Sequence, residues 1–192
     1  MAEPSPAALN SRALRSLAQR EHSRAELRRK LLRYACDAVA HAAHAAHAAR
    51  AGAAAGDLAG DVAGTEPAGG LDRASLDAQV EQVLDQLTAA GLISEERVAE
   101  AVVNAKSARY GGRRLRQILQ AKGLDGDLVE QTLAAARATE FERALAVWRR
   151  RFAEPPTDAR EQARQSRFLA ARGFEGDVIR RLLRPRDDDP VR

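Results

Sequence analysis

The sequence predicts an all-α protein built from three tandem three-helix units, and three observations carry that prediction. Alanine, leucine and arginine crowd a chain of 192 residues in which only 4% are aromatic, a composition that favours helix over sheet. The stretch Lys122-Gly123-Leu124-Asp125-Gly126-Asp127-Leu128-Val129 recurs 50 residues later as Arg172-Gly173-Phe174-Glu175-Gly176-Asp177-Val178-Ile179, with every position matched in character. Capping residues and glycine breaks cut the intervening sequence into helices of a few turns.

A third copy is partial. Val80-Glu81-Gln82-Val83-Leu84 repeats as Val129-Glu130-Gln131-Thr132-Leu133 and again as Ile179-Arg180-Arg181-Leu182-Leu183, at steps of 49 and 50 residues. Periods of this size mark repeat architectures, in which each unit buries its apolar face partly against its neighbours. The expected organisation is a flexible tail over residues 1–10, a first unit over 11–93, a second over 94–137, a third over 138–184 and a second flexible tail over 185–192.

The first unit opens with a helix from Arg12 to Glu21. Ser23-Arg24-Ala25-Glu26 then forms a capping box, in which the first and last side chains satisfy each other's exposed amides, and Leu27 and Leu31 follow at helical spacing. Before the third helix lies a low-complexity insertion over about residues 36–73, rich in alanine and glycine. Its alanines up to Ala49 prolong the preceding helix, whereas glycine recurs from Gly52 to Gly70 as expected of a flexible loop dispensable for folding.

In the second unit Ser94 caps a helix whose first turn holds Glu95 and Glu96, favourable beside the positive end of the helix dipole, and which runs to about Tyr110. Gly111-Gly112 breaks it. Arg113 to Lys122 forms the next helix, with Leu115, Ile118 and Leu119 on one face and Gly123 as its left-handed cap, and Asp125 or Asp127 starts the third. In the third unit Thr139-Glu140-Phe141-Glu142 is a second capping box, and Phe141, Leu145, Trp148 and Phe152 make a core stripe at steps of four, three and four. Pro155-Pro156 then forces a break before a helix from Thr157 or Asp158 to Arg172.

Several function classes drop out. Cys36 is the sole cysteine and can form no internal disulfide, and no Cys/His cluster has the spacing of a closed zinc site. The amino terminus lacks the pattern of a secretory signal and no run of about 18 apolar residues occurs, so a soluble cytoplasmic protein is expected, with no membrane association. His41, His44 and His47 recur every three residues, about 60° apart on a helix; an alanine-rich slippage repeat explains them without a metal. His22, just before the Ser23 cap, reads as a surface or helix-turn residue. No nucleophile elbow, phosphate-binding glycine loop, metalloprotease helix or catalytic carboxylate pair is present. Neither an enzyme nor a cofactor is expected.

Charge is the informative feature. The net value is +4, yet residues 12–33 carry eight basic and two acidic side chains, residues 34–100 three and eleven, and residues 101–122 six and none. Basic blocks flanking an acidic one suit an anionic partner. Arg113, Arg114 and Arg116 occupy the first turns of a helix, where cations oppose the dipole, although other helix starts in the chain hold acids. A local rule broken once points to a functional site. Arg109, Arg113 and Arg116 fall along one helical face, and Arg20, Arg24 and Arg28 form a comparable stripe. Aligning Leu27 with Leu115 and Leu31 with Leu119 places Arg28 opposite Arg116. The alternative is a solvated face.

The chain also resembles a known family. The segments Arg12-Ala13-Leu14, Arg20-Glu21-His22-Ser23-Arg24-Ala25-Glu26-Leu27, Ala90-Gly91-Leu92-Ile93-Ser94-Glu95-Glu96-Arg97, Gln117-Ile118-Leu119-Gln120-Ala121-Lys122-Gly123-Leu124 and Arg172-Gly173-Phe174 are similar to those of the bacterial RecX regulatory proteins, over about residues 10–184 apart from the insertion. The chain departs from the family at Val98 and at Val102 or Val103, where aromatics are usual, and at Gly112-Arg113, where Gly-Pro is common. The resemblance implies an elongated, curved molecule lying in the groove of the RecA filament on DNA and inhibiting RecA ATPase, strand exchange and co-protease activity. Sequence-independent DNA binding by the helical repeats is the competing reading. Candidate residues for contact with the RecA filament, or with single- or double-stranded DNA, are Arg20, Arg24, Arg28, Arg109, Arg113, Arg114, Arg116 and Lys122. A monomer is expected.

Overall fold

The computed structural model describes residues 5–54 and 73–184, and among them every regular element is a helix. The chain divides into two compact units, Met1–Ser94 and Glu95–Arg192.

In the first unit, α1 spans Pro6–Leu17, with the Ser5 side chain accepting from Ala8 N and proline at the first helical position. It therefore starts at Pro6 and stops at Leu17, not at Arg12 and Glu21. Residues 6–10, expected in a flexible tail, are helical, because Leu9 and Ala13 on one face are wholly buried. The capping box forms as the sequence predicts, with Glu26 N donating to Ser23 Oγ (3.1 Å) and Ser23 N to Glu26 Oε2 (3.2 Å), and α2 runs from Arg24 to Ala54. Its 31 residues make it about 46 Å long. The helix thus passes through Gly52, where a loop was expected, while the rest of that loop from residue 55 onward and the 185–192 tail lie outside the described residues. α3, Arg73–Ala89, closes the unit by burying Leu76, Val80, Val83, Leu84 and Leu87 against Leu27 and Leu31 of α2.

The second unit holds two three-helix clusters. In the first, α4 (Glu95–Lys106), α5 (Gly112–Ala121) and α6 (Gly126–Arg137) enclose Val98, Val102, Leu115, Leu119, Val129 and Leu133. α4 ends at Lys106 rather than Tyr110, and residues 107–109 form a turn. Asp125 caps α6 as predicted, accepting from Asp127 N at 2.9 Å. In the second cluster, α7 (Glu140–Arg149), α8 (Ala159–Ala171) and α9 (Gly176–Leu182) enclose Val147, Trp148, Leu169, Phe174 and Ile179. Asp158 caps α8 through Glu161 N, 2.7 Å.

Two local expectations for the third repeat are corrected. The Thr139 side chain makes no capping bond; its hydroxyl donates back to Ala136 O instead. Of the aromatic stripe, Trp148 is buried and Leu145 and Phe152 pack beside it. Phe141 is only half-buried, with the Arg181 guanidinium 4.2 Å from its ring centre.

The repeat alignment is realised in packing. Val80, Val129 and Ile179 are buried at one register of the third helices, Leu84, Leu133 and Leu183 at the next. On the second helices Leu31, Leu119 and Leu169 are equivalent and buried. At the position of Leu27 and Leu115, however, the third repeat has Gln165, and there the buried Trp148 indole donates to Gln165 Oε1 at 2.8 Å. A leucine has been replaced by a polar side chain that the tryptophan N–H requires.

Candidate functional site

Three of the predicted basic residues are bound up within the first unit. α3 presents Asp77, Glu81 and Asp85 at steps of four, one above another on a helix face. Arg24 on α2 donates to Glu81 (2.6 Å) and Asp85 (2.7 Å), and Arg28 to Glu81 (2.6 Å) and Asp77 (2.8 Å). Arg20 leaves the stripe altogether, lying in the α1–α2 loop beside Glu26. Hydrogen bonds from Arg28 and Arg24 hold the Glu81 carboxyl below the ordinary carboxylate range.

The same clamp recurs one repeat later. Arg116 donates to Glu130 at 2.7 and 3.1 Å; Arg28 and Arg116 are equivalent positions, and so are Glu81 and Glu130. In the third repeat the equivalent residues are Ser166 and Arg180, which cannot form it. Arg28 and Arg116 are therefore braces between second and third helices. Arg109, Arg113 and Arg116 do not form one stripe either, since Arg109 lies in the turn beyond the end of α4.

The unusual start of α5 has its explanation in Glu140, which is only 3% exposed. Its Oε1 accepts from Gly112 N (3.0 Å) and Glu175 N (3.3 Å), while Gly111 N donates to Arg172 O and Arg113 N to Gly173 O, both 3.0 Å. The carboxylate offsets the positive helix terminus that Arg113 and Arg114 cannot. Arg143 fixes the same junction by donating to the carbonyls of Ser107 (3.0 Å), Tyr110 (2.8 Å) and Ala136 (2.7 Å). Burial lowers its pKa, but a guanidinium remains charged at neutral pH. In sequence Glu140 reads as an intervening residue of the Thr139–Glu142 capping box, and its distant amide partners leave no local signal.

This junction frames a cleft of about 630 Å³ whose lining includes five arginines, Arg109, Arg114, Arg150, Arg151 and Arg172, and no acidic residue. Arg114 donates to Gln117 Oε1 at 3.1 Å. The Arg172 guanidinium lies 3.7 Å from the centre of the Phe168 ring. Arg109, Arg150 and Arg151 are exposed, and their side chains have no hydrogen bond, ion pair or ring contact among the described residues. Two of the predicted contact residues, Arg109 and Arg114, thus meet here. Arg113 is exposed outside the cleft lining, and Lys122 caps α5 half-buried. Arg150, Arg151 and Arg172 escape a reading based on helix-start anomalies, although the run Arg149-Arg150-Arg151 is visible in the sequence.

The histidines do other work. His22 is buried, not at the surface: its Nδ1 lies 2.9 Å from Arg20 O and its Nε2 3.2 Å from Lys30 Nζ, which also reaches Ser16 Oγ at 3.2 Å. An ammonium is donor-only, so Nε2 accepts and Nδ1–H donates. Burial, with the charges of Arg20 and Lys30, lowers the His22 pKa. His41 and His44 each turn Nδ1 onto the carbonyl four residues back, at 2.6 and 2.7 Å. Among the described residues no group of histidine, cysteine or carboxylate side chains is placed to hold a metal, and no helix is long and apolar enough to cross a membrane.

Residues 94–133 match a family model described as the second three-helix domain of RecX, and residues 138–183 one described as the third. The chain is 41% identical over 181 residues to a regulatory protein RecX from Leptothrix cholodnii, covering 94% of this chain and 90% of the relative. It is 38% identical over 192 residues to one from Ralstonia nicotianae, covering 97% and 96%. A crystal structure of RecX from Lactobacillus salivarius shares the fold, with a TM-score of 0.63 at 16% identity over 93% of this chain and 94% of that one.

Proposed function

The chain belongs to the RecX family of regulatory proteins, and from that membership we propose that it binds the RecA–DNA filament and inhibits RecA. The inhibited activities are ATP hydrolysis, strand exchange and co-protease function, so the protein damps recombinational repair and the SOS response. It acts in the cytoplasm, as a monomer, through binding and not through chemistry of its own. The single observation carrying this reading is identity to regulatory relatives over nearly the whole chain. The arginine cleft supports it as a surface fitted to an anionic assembly.

That cleft also favours a second reading, a sequence-independent DNA-binding protein with no specific contact to RecA. Co-sedimentation separates the two. A RecA filament assembled on single-stranded DNA, mixed with the chain at a salt concentration that abolishes its binding to free DNA, retains the chain in the pellet if RecA itself is contacted. Loss of filament binding in step with loss of free DNA binding favours the second reading.

A further inference from the structure

We propose that Lys30 is a site of covalent acylation by small acyl phosphates, whose phosphate group is seated in a cationic cavity between α1 and α2 of the first unit. This chemistry needs neither RecA nor the arginine cleft.

The cavity comes from helix spacing. Arg12, Arg15, Ser16 and Gln19 follow at steps of three, one and three, so they share one face of α1 and of the turn after it, and Lys30 closes that face from α2. The space they enclose is about 240 Å³, below the roughly 300–1,000 Å³ of pockets that take drug-sized ligands. Its lining holds three cations and no carboxylate. The Arg12 guanidinium lies 5.1 Å from the centre of the Tyr34 ring, and Arg15 donates through Nε to Ser11 O at 3.3 Å. Among the described residues the terminal nitrogens of both have no hydrogen-bond partner, and they are suited to hold a phosphate.

A nucleophile and a base stand at the back of this cavity. Lys30 Nζ donates to His22 Nε2 and to the Oγ of buried Ser16, both at 3.2 Å. His22 is 1% exposed, and its Nδ1–H donates to Arg20 O, which fixes Nε2 as the accepting nitrogen. Burial first, and the charges of Arg20 and Lys30 after it, lower the His22 pKa and keep the imidazole neutral, so Nε2 is open to a proton from Lys30. The chain carries its own controls. Its other lysines are Lys106 and Lys122, both in the second unit and outside the cavity, whereas all four histidines lie within residues 22–47.

The reaction balances without a cofactor. A proton passes from the Lys30 ammonium to His22 Nε2 and thence to solvent. The freed amine lone pair attacks the acyl carbon; a C–N bond forms, and the C–O bond to the phosphate breaks with its electron pair on the departing oxygen. One of the two protons on the attacking nitrogen goes to that oxygen, so hydrogen phosphate leaves and a neutral amide remains. Arg12 and Arg15 offset the charge that gathers on the leaving group. The amide carries no charge, so the cavity is left with two cations of three and does not react again.

Incubating the full chain with acetyl phosphate and following each lysine by peptide mass spectrometry tests the assignment. Lys30 is expected to be acetylated at least about tenfold faster than Lys106 or Lys122, from donor positioning and the neighbouring base together. Arg12→Gln with Arg15→Gln alters two exposed side chains and leaves the buried histidine in place. That variant is expected to slow Lys30 about fivefold or more with acetyl phosphate, but less than about twofold with p-nitrophenyl acetate, an uncharged donor that needs no phosphate seat. His22→Gln, whose amide keeps an acceptor but takes up no proton, is expected to slow Lys30 about fivefold or more with both donors, in a chain of unchanged circular dichroism.

Acetylation of Lys30 no faster than that of Lys106 and Lys122 would overturn the proposal, because Lys30 would then be one accessible amine among three. Equal losses with the two donors in the arginine variant would overturn it too, since the cavity would not be reading the phosphate. A Lys30 rate untouched in folded His22→Gln would remove the base and overturn the mechanism of the site. If His22→Gln does not fold, the arginine variant with its two donors decides alone.

Discussion

Gly111 and Gly173 meet backbone to backbone, so closely that a Cβ on Gly111 would stand 2.4 Å from Gly173 O and one on Gly173 would stand 2.4 Å from Arg114 N. Gly173 also sits at φ +81°, the left-handed region that ends α8. Backbone atoms cannot swing aside as a side-chain tip can. Gly173→Ala is therefore expected to cost about 2–4 kcal/mol, from overpacking and the left-handed penalty together, and Gly111→Ala about 1–3 kcal/mol. Gly126→Ala, with open space around its Cβ, is the control and is expected to be neutral or stabilising by up to about 1 kcal/mol. Urea unfolding of the three variants checks the ordering.

Trp148 and Gln165 make the second prediction. Gln165→Leu restores the leucine of the other two repeats but leaves the buried indole N–H without its acceptor, at an expected cost of about 1–3 kcal/mol. Adding Trp148→Phe removes the orphaned donor, and a double-mutant cycle from thermal unfolding is expected to show the two changes costing less together than their sum.

The Arg116–Glu130 brace reverses an inference that the sequence invites. Judged by the helix dipole alone, Arg116→Glu improves the start of α5; in the structure it sets a carboxylate against Glu130. The single variant is expected to melt below wild type, and the swap Arg116→Glu with Glu130→Arg is expected to recover most of the loss.

Acid is expected to weaken the first unit in two windows. His22 has a lowered pKa, so as pH falls below about 6.5 the unfolded chain takes up a proton that the folded chain resists, and stability declines. Lys30 and Arg20 oppose that proton, and Glu26 favours it. Glu81 is also lowered, so its contribution is complete above the ordinary carboxylate value of about 4.3 and is lost as pH falls through the folded value beneath it. Thermal unfolding of wild type and His22→Gln between pH 7 and 5 checks the first window: the variant is expected to show the flatter profile.

The repeats, the Ser23–Glu26 box and the Asp125 and Asp158 caps are legible in the sequence because each rests on residues within one helix or one turn. The start of α1 is not legible in the same way, because Ser5-Pro6 is a two-residue signal outside the repeated pattern. The basic stripes mislead for a different reason. Whether an arginine is open or braced depends on a carboxylate on another helix, 14 residues away for Arg116 and 53 for Arg28. That the cleft draws Arg109 and Arg114 together with Arg150, Arg151 and Arg172 depends on the Glu140 junction, which no local spacing encodes.

Regulation of RecA by this chain is read from the rate of ATP hydrolysis by RecA on single-stranded DNA as the folded protein is titrated in. Turnover is expected to fall progressively, to completion at or below about one chain per RecA protomer, with no added cofactor. Unchanged turnover at an excess of chain shown to be folded by circular dichroism would contradict it.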